Sequence, residues 1–281
     1  MTPQDFEFCS VLLKLRSGLI LTPDKTYLLT SRLAPLTRKL GMNSPDDIVA
    51  ALRRKDRAVE DAVVEAMTTN ETYFFRDPQV FDQCRTAVLP AMMKARGAMK
   101  RLRVWSAASS SGQEAYSLAL MFKDEFAKTP GWNSTIVGTD LSEEMVERAW
   151  NGTYTHFEIQ RGLPVKYLMA HFEDLKGSWR IKPDLRNMVQ FRKLNLLEEF
   201  GSLGQFDIVF CRNVLIYFDP PTKAKILANI SRLLPDDGVL YLGGAEGVLG
   251  VTEAFKPMPN VRGAYVPVRA PRPGASPKLG A

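Results

Sequence analysis

The residue pattern changes twice between Leu102 and Ser117, and this stretch limits the folds that the whole chain can adopt. Leu102–Trp105 has the residue composition of a strand, and Ala107–Gly112 is a run of small residues. From Gln113 onward, apolar residues return at helical spacing. A strand, a tight turn of small residues and a helix make the opening of a βαβ unit. Chains of this class bind a ligand where that first turn meets its helix.

Strands and helices continue to alternate beyond this unit and predict a mostly parallel sheet covered on both faces. The irregular segment at about 151–187 interrupts the alternation, and we interpret it as an inserted small subdomain. The predicted strands are 102–107, 134–138, 189–194, 206–211 and 238–242, followed by 255–257 and 264–268 as a terminal hairpin. The pattern therefore predicts an α/β, Rossmann-like fold with a seven-stranded sheet.

The remaining segments divide the chain further. Residues 1–76 read as a small all-α domain, residues 77–101 as a linker helix that Pro90 kinks, and residues 102–268 as the α/β domain. The proline- and glycine-rich residues 269–281 predict a disordered tail. Gly41 is the expected cap at the C-terminal end of the second helix, and Ser44 the expected N-cap of the third.

Composition favours a cytoplasmic protein. No apolar run reaches the roughly 18 residues that span a bilayer, and the start of the chain has no basic-then-apolar leader pattern. The three cysteines are far apart, with no metal-type spacing, which fits a reducing compartment.

Net charge is +6, and most of the excess lies in the first 101 residues. A basic face there favours an acidic partner, although a solvated surface with no partner is the alternative. Nucleic acid is disfavoured, because aromatic residues do not interleave with the basic ones. The basic residues that we expect on this face include Arg32, Arg38, Arg53, Arg54 and Arg57.

The turn after the first strand does not suit a dinucleotide. It has one glycine where that class has three, and Glu114 at the helix start would repel a pyrophosphate. A ligand with an ammonium group fits better. Asp140 follows the second strand, where an acid commonly holds ribose hydroxyls; its alternative role is that of a helix cap.

Polar residues also follow the next two strands. Asn195–Leu196 and Arg212–Asn213 place amide side chains at the carboxyl edge of the sheet, where open α/β sheets bind ligands. An acid for a ribose, polar groups for an adenine and a charge pair for an amino acid together describe a site for S-adenosylmethionine. The fold class predicted is therefore a class I S-adenosylmethionine-dependent methyltransferase preceded by a small all-α domain.

Four ordered blocks resemble a known family. T-T-N-E-T-Y-F-F-R-D, R-V-W-S-A-A-S-S-S-G-Q-E-A-Y-S, G-T-D-L-S and F-D-I-V-F-C-R-N-V-L-I-Y-F-D resemble the signature blocks of the chemotaxis receptor methyltransferases, the CheR family. The resemblance runs from about residue 5 to residue 268. One departure is Gln113, which stands where the family usually has the first of two acids.

The resemblance implies a role for individual residues. Asn70, Thr72 and Arg76 would contact the cofactor, with Arg76 pairing the methionine carboxylate and Glu114 the ammonium group. Asp140 would hold the ribose, and Tyr217 would face the transferring methyl group. Residues expected on the adenine side are Asn195, Leu196, Arg212 and Asn213. A further arginine ahead of the first strand is implicated in the family, and Arg96, Arg101 and Arg103 all qualify.

The implied activity is methyl transfer from S-adenosylmethionine to glutamate side chains on the cytoplasmic helical bundle of methyl-accepting chemotaxis receptors. The products are glutamyl methyl esters and S-adenosylhomocysteine, and the role is sensory adaptation. Glutamate is ionised at neutral pH, so no strong base is required; both histidines, His156 and His171, fall in the insertion. Two alternatives remain: a methyltransferase of this fold with a nucleic-acid or small-molecule substrate, and a non-catalytic adaptor.

Overall fold

The computed structural model describes residues 1–269. Ten strands lie in this part of the chain: β1 (Arg101–Ala107), β2 (Asn133–Asp140), β3 (Thr153–Thr155), β4 (Phe172–Asp174), β5 (Ser178–Ile181), β6 (Val189–Lys193), β7 (Ile208–Cys211), β8 (Val239–Leu242), β9 (Phe255–Pro257) and β10 (Ala264–Pro267). Seven of them form one sheet in the order β6-β2-β1-β7-β8-β10-β9. The first five of that order are parallel, and β10 runs antiparallel to β8 and β9. The predicted seven-stranded α/β fold is confirmed.

Twelve α-helices belong to the same described residues. They are α1 (Pro3–Ser17), α2 (Thr26–Lys39), α3 (Pro45–Arg53), α4 (Arg57–Met67), α5 (Pro78–Gln83), α6 (Leu89–Ala95), α7 (Gln113–Ala127), α8 (Glu143–Asn151), α9 (His156–Gln160), α10 (Val165–His171), α11 (Pro183–Arg186) and α12 (Pro220–Leu233). None of the helices within residues 1–269 has both the length and the apolarity to cross a bilayer.

The two faces of the sheet carry separate cores because side chains alternate along each strand. Leu102 and Val104 of β1 pack with α7 on one face, whereas Trp105 and Ala107 pack with α12 on the other. Strands such as β7 and β8 are buried along their whole length, as expected of parallel strands covered on both sides.

Helices α1–α4 form a separate apolar core, and we call them the helical domain. Leu13, Leu29, Leu33 and Val63 are fully buried there. Ser44 caps α3 in a capping box with Asp47, as predicted.

The linker is helical without interruption from residue 78 to residue 95, but its irregular turn is not at Pro90. Residues 84–88 form a π-helical turn between α5 and α6, and the Leu89 amide donates to the carbonyl oxygen of Cys84. The irregular turn therefore comes before Pro90, which stands in the first turn of α6 where its missing N–H is tolerated.

The predicted insertion contains α9, α10, α11 and a three-stranded antiparallel sheet in the order β3-β5-β4. Several predicted elements shift by one or two residues; β7, for example, begins at Ile208 rather than Phe206. The predicted disordered tail, apart from Arg269, lies outside the described residues.

Candidate active site

One open cavity lies between the carboxyl edge of the large sheet and the helical domain. It holds about 1000 Å³ of empty space, counting its mouth. All ten residues predicted for the site line it: Asn70, Thr72, Arg76, Glu114, Asp140, Asn195, Leu196, Arg212, Asn213 and Tyr217. These ten residues come from positions up to 147 residues apart in the chain, from Asn70 to Tyr217.

The turn after β1 presents its backbone to this cavity. Ala108 and Ser110 both line it, with positive φ angles of 58° and 49°. The Ser110 hydroxyl donates to the carbonyl oxygen of Asn70 at 2.8 Å, which ties the turn to the segment ahead of the linker. Gly112 does not line the cavity and packs against Ala149 and Phe191 beneath the helix.

Asp140 is held rigidly at the end of β2. Its Oδ2 accepts a hydrogen bond from the Ser110 amide at 2.7 Å, and its Oδ1 accepts one from the Ser142 amide at 2.9 Å. Burial raises the pKa of this carboxyl, although these hydrogen bonds oppose the shift. The capping role considered for Asp140 belongs to Ser142, whose hydroxyl accepts from the Met145 amide at the start of α8. Asp140 retains acceptor capacity toward the cavity, because a carboxylate can accept about four hydrogen bonds.

A buried ion pair lies below the turn. The Arg212 guanidinium, 1% exposed, contacts Glu114 Oε2 at 3.0 Å and Asp77 Oδ2 at 2.6 Å. Glu114 Oε1 also accepts a hydrogen bond from the Ser106 hydroxyl at 2.7 Å. Arg212 therefore lines the cavity while its guanidinium is already paired with Glu114. Its Nε is buried and has no hydrogen-bond partner among the described residues.

The segment 68–77 forms one wall, and aromatic residues of the insertion hold it. Phe74 is fully buried and packs edge-on against Tyr154 and Phe172, while Phe75 stacks on Tyr167. This packing leaves Asn70, Thr72 and Arg76 on the cavity side. Arg76 forms no salt bridge within residues 1–269; one of its nitrogens donates to the carbonyl oxygen of Glu71 at 3.0 Å.

The helical domain supplies a wall that the sequence did not indicate. The cavity is lined by Ser17 at the end of α1, Leu19 just after that helix, and Val64 and Met67 on α4. Asn195 faces this wall: its amide nitrogen donates to the carbonyl oxygen of Arg16 at 2.7 Å, and its Oδ1 accepts from the Leu197 amide. The side chain expected to meet a ligand thus also joins the two parts of the protein.

Tyr217 lies at the cavity in a short 3₁₀ turn, Leu215–Tyr217, after β7. Its carbonyl oxygen accepts a hydrogen bond of 3.1 Å from the Ile20 amide of the helical domain. The loop begins at Asn213, whose φ is 59°. The 3₁₀ turn and the backbone hydrogen bond from Ile20 thus hold Tyr217 at the cavity.

None of the three further arginines considered lines the cavity. Arg101 and Arg103 stand near the start of β1. The cavity lies beyond the far end of this strand, about 20 Å from Arg101 and about 13 Å from Arg103 at the usual rise of a strand. Arg96 instead contacts Asp207 and Asp237 at 2.7 Å each. The arginines at the cavity are Arg76 and Arg212.

The chemistry of the lining fits S-adenosylmethionine. Arg76, free of salt bridges within residues 1–269, and the carboxylate of Glu114 supply both charges that an amino-acid group needs. Asp140 supplies acceptors for a ribose, and Leu141, Leu196 and Phe218 supply apolar surface. The unpartnered Nε of Arg212 shows that this polar cluster is not saturated by protein groups.

Both the helical domain and the α/β domain match models of known protein families. Residues 4–68 match the model described as CheR methyltransferase, all-alpha domain, and residues 70–263 match CheR methyltransferase, SAM binding domain. A Chemotaxis protein methyltransferase 1 of Pseudomonas aeruginosa is 43% identical over 90% of this chain and 93% of its own. Chemotaxis protein methyltransferase Cher2 of Pseudomonas putida is 40% identical over the same shares, and a Vibrio cholerae relative is 39% identical over 89% and 91%.

Proposed function

The chain belongs to the CheR methyltransferase family, and we propose that it methylates glutamate side chains of methyl-accepting chemotaxis receptors. It is an enzyme that uses S-adenosylmethionine, with S-adenosylhomocysteine as the product. The observation that carries the proposal is the meeting of ten predicted residues in one cavity, between the sheet edge and the helical domain. The product on the receptor would be a glutamyl methyl ester, and the reaction would take place in the cytoplasm.

We assign the cofactor-binding roles as follows. Asp140 holds the ribose hydroxyls, and its fixed hydrogen bonds to Ser110 and Ser142 orient it for that role. Arg76 pairs the methionine carboxylate, while Glu114 faces the ammonium group and Arg212 holds Glu114 in place. The residues at the adenine side are Asn195, Leu196 and Asn213, and Thr72 and Asn70 complete the wall opposite.

When bound, S-adenosylmethionine supplies a methyl group on a positively charged sulfur. The chain itself need not provide a base, because a glutamate carboxylate is already ionised at neutral pH. The residues that line the cavity within the described part of the chain are accordingly free of histidine, cysteine and lysine. The contribution of the protein is therefore to orient both reactants and to exclude water.

Tyr217 is the residue that we place beside the reacting groups. It lines the cavity near Val214 and Phe218, and its hydroxyl makes no hydrogen bond within residues 1–269. A phenol in this place can orient an incoming carboxylate by donating a hydrogen bond to it. We therefore assign it a positioning role rather than that of an acid or base.

Docking on the receptor would use the basic face of the helical domain. Four arginines are exposed here: Arg32 and Arg38 on α2, Arg54 in the turn after α3, and Arg57 at the start of α4. Arg53 is less available, because it pairs with Asp5 and lowers the pKa of that carboxyl to about 2. Helix α4 runs from Arg57 to the cavity wall at Met67, a length of about 15 Å. A receptor held at this basic face would thus lie near the mouth.

The experiment that tests this function uses tritiated S-adenosylmethionine and receptor-containing membranes. Label on the receptor that mild base releases as methanol is expected, because a carboxyl ester is base-labile. Label that survives base would indicate transfer to another group. No label, in a protein that binds S-adenosylhomocysteine normally, would support a non-catalytic adaptor.

A further inference from the structure

Glu246 lies outside the cavity, and its carboxylate accepts four backbone hydrogen bonds, two of them from residues of the cavity wall. It follows β8, and its carboxylate reaches back to the loop after β7. Oε2 accepts hydrogen bonds from the amides of Asn213 at 2.8 Å and Gly243 at 2.7 Å. Oε1 accepts from the amides of Val214 at 2.9 Å and Ile216 at 3.3 Å.

These four donors use the full acceptor capacity of a carboxylate, which is about four hydrogen bonds. Three of them belong to the loop 213–217, which forms no ladder with a neighbouring strand. Asn213 has a positive φ of 59°, so the chain reverses sharply there and its amides converge on one point. A concave set of converging amides favours an anion.

Gly243 shows independently how closely these groups are packed. A β-carbon at this position would lie 2.7 Å from Glu246 Oε2, 2.8 Å from Asn213 Nδ2 and 2.9 Å from the Asn213 amide nitrogen. Real β-carbons essentially never approach other atoms so closely. The carboxylate and the loop therefore fit together only because position 243 has no side chain.

The loop carries three residues of the cavity wall, Asn213, Val214 and Tyr217, whereas Glu246 is not part of that wall. We propose that Glu246 is a positioning residue for methyl transfer: its charged carboxylate gathers the loop amides and so fixes Asn213 and Tyr217 at the cavity. The proposal rests on the proposed function, since it takes these two residues as parts of the cofactor and substrate sites.

The test compares Glu246→Gln with Glu253→Gln in the full chain. Glu253 is an exposed glutamate of the same region, so its substitution makes the same chemical change without touching the loop. A glutamine cannot accept from all four amides, because one of its two terminal groups is a donor. Hydrogen exchange of the Asn213, Val214 and Ile216 amides should accelerate at least tenfold in Glu246→Gln only.

Ligand affinity and catalysis should both decrease when the loop is no longer held in place. Affinity for S-adenosylhomocysteine, measured by calorimetry, and kcat with receptor membranes should each fall roughly tenfold to a hundredfold, as expected for misplaced contact groups. Glu246→Asp, which keeps the charge, should recover part of both. In the double variant with Tyr217→Phe, kcat should fall by less than the product of the two single effects.

Three outcomes would overturn the proposal: unchanged amide exchange in Glu246→Gln, unchanged affinity and kcat despite faster exchange, or equal losses in Glu253→Gln. If Glu246→Gln fails to fold, Gly243→Ala displaces the same loop from its other side, and the same three measurements decide. A wild-type protein that shows the protected amides and binds S-adenosylhomocysteine, but does not label receptors, would count against the proposed function and not against the role of Glu246 in shaping the loop.

Discussion

Gly18, the residue that ends α1, lies against the ring of Phe218, and a β-carbon at position 18 would be 2.7 Å from Phe218 Cδ1. Two residues further on, the Ile20 amide donates its hydrogen bond to Tyr217. The helical domain is thus joined through its backbone to the loop that carries Tyr217. Because Ser17 and Leu19 of the same segment line the cavity, closure of the site depends on this junction.

Substitution Gly18→Ala should weaken binding of S-adenosylhomocysteine by about tenfold or more, since a misplaced wall disturbs contact geometry. Gly41→Ala is the matched control: Gly41 also follows a helix with a positive φ, 66° against 77°, but a β-carbon there would meet nothing within 4 Å. Both variants should lose about 1–2 kcal/mol of stability from backbone strain. Calorimetric titration with S-adenosylhomocysteine measures the affinity of each variant. Equal affinities in the two variants would contradict the role of the junction.

Affinity for S-adenosylhomocysteine should depend on the ionisation of Asp140. Burial raises the pKa of its carboxyl above the usual 3.8, and the protonated form loses acceptor capacity for the ribose. Affinity should therefore fall on acidification at a higher pH than for an ordinary aspartate. Asp140→Asn should bind weakly with a flat pH profile, whereas the exposed Asp174→Asn should follow the wild type.

The stability of the unliganded protein should have the opposite pH dependence for this group. A pKa raised in the folded state means that the native protein binds this proton more tightly than the unfolded chain does. The contribution of Asp140 to the free energy of unfolding is then fully present below its unfolded-state pKa and is lost as pH rises through the folded-state pKa. The free energy of unfolding of the wild type, compared with that of Asp140→Asn, should decrease as pH rises across that range. A stability that instead increases with pH, in parallel with the affinity for S-adenosylhomocysteine, would contradict this account.

Arg96 should prove to be a structural residue. It lies at the edge of the sheet away from the cavity, joins α6 to Asp207 and Asp237, and is 13% exposed. Arg96→Ala should cost about 1–3 kcal/mol in the free energy of unfolding, because it leaves Asp207 without its ionic partner. The exposed Lys94→Ala should cost little. Lost activity in a fully stable Arg96→Ala protein would instead place this arginine in the reaction.

The basic face should act on encounter with the receptor rather than on chemistry. Arg54→Ala with Arg57→Ala should lower kcat/KM for receptor membranes by about tenfold at low ionic strength, and less at high salt. Affinity for S-adenosylhomocysteine should not change. Lys256→Ala with Arg262→Ala removes the same charge from exposed residues near the terminal hairpin, and an equal loss in that control would argue against a specific docking face.

Local sequence patterns were sufficient for most of the fold. Apolar runs such as those of β7 and β8 identify buried strands because covered parallel strands exclude polar residues. The linker shows the limit of such patterns. Pro90 predicts a kink at its own position, but the irregular turn lies at residues 84–88, ahead of the proline, and local spacing does not determine that position.

The composition of the candidate site was predictable for similar reasons, since parallel strands bring their carboxyl ends to one edge. Its internal contacts were not. The bond of Asn195 to Arg16 joins residues 179 positions apart, and the pair of Arg212 with Glu114 joins residues 98 apart. A residue type at a strand end indicates a site, but only the packed structure shows whether its side chain is already engaged by the protein.

A crystal structure with S-adenosylhomocysteine tests the central claim most directly. We expect the ligand in the cavity between the sheet edge and the helical domain, with its ribose hydroxyls on Asp140 and its carboxylate beside Arg76. A ligand bound elsewhere, or one in this cavity with its ribose away from Asp140, would contradict the account.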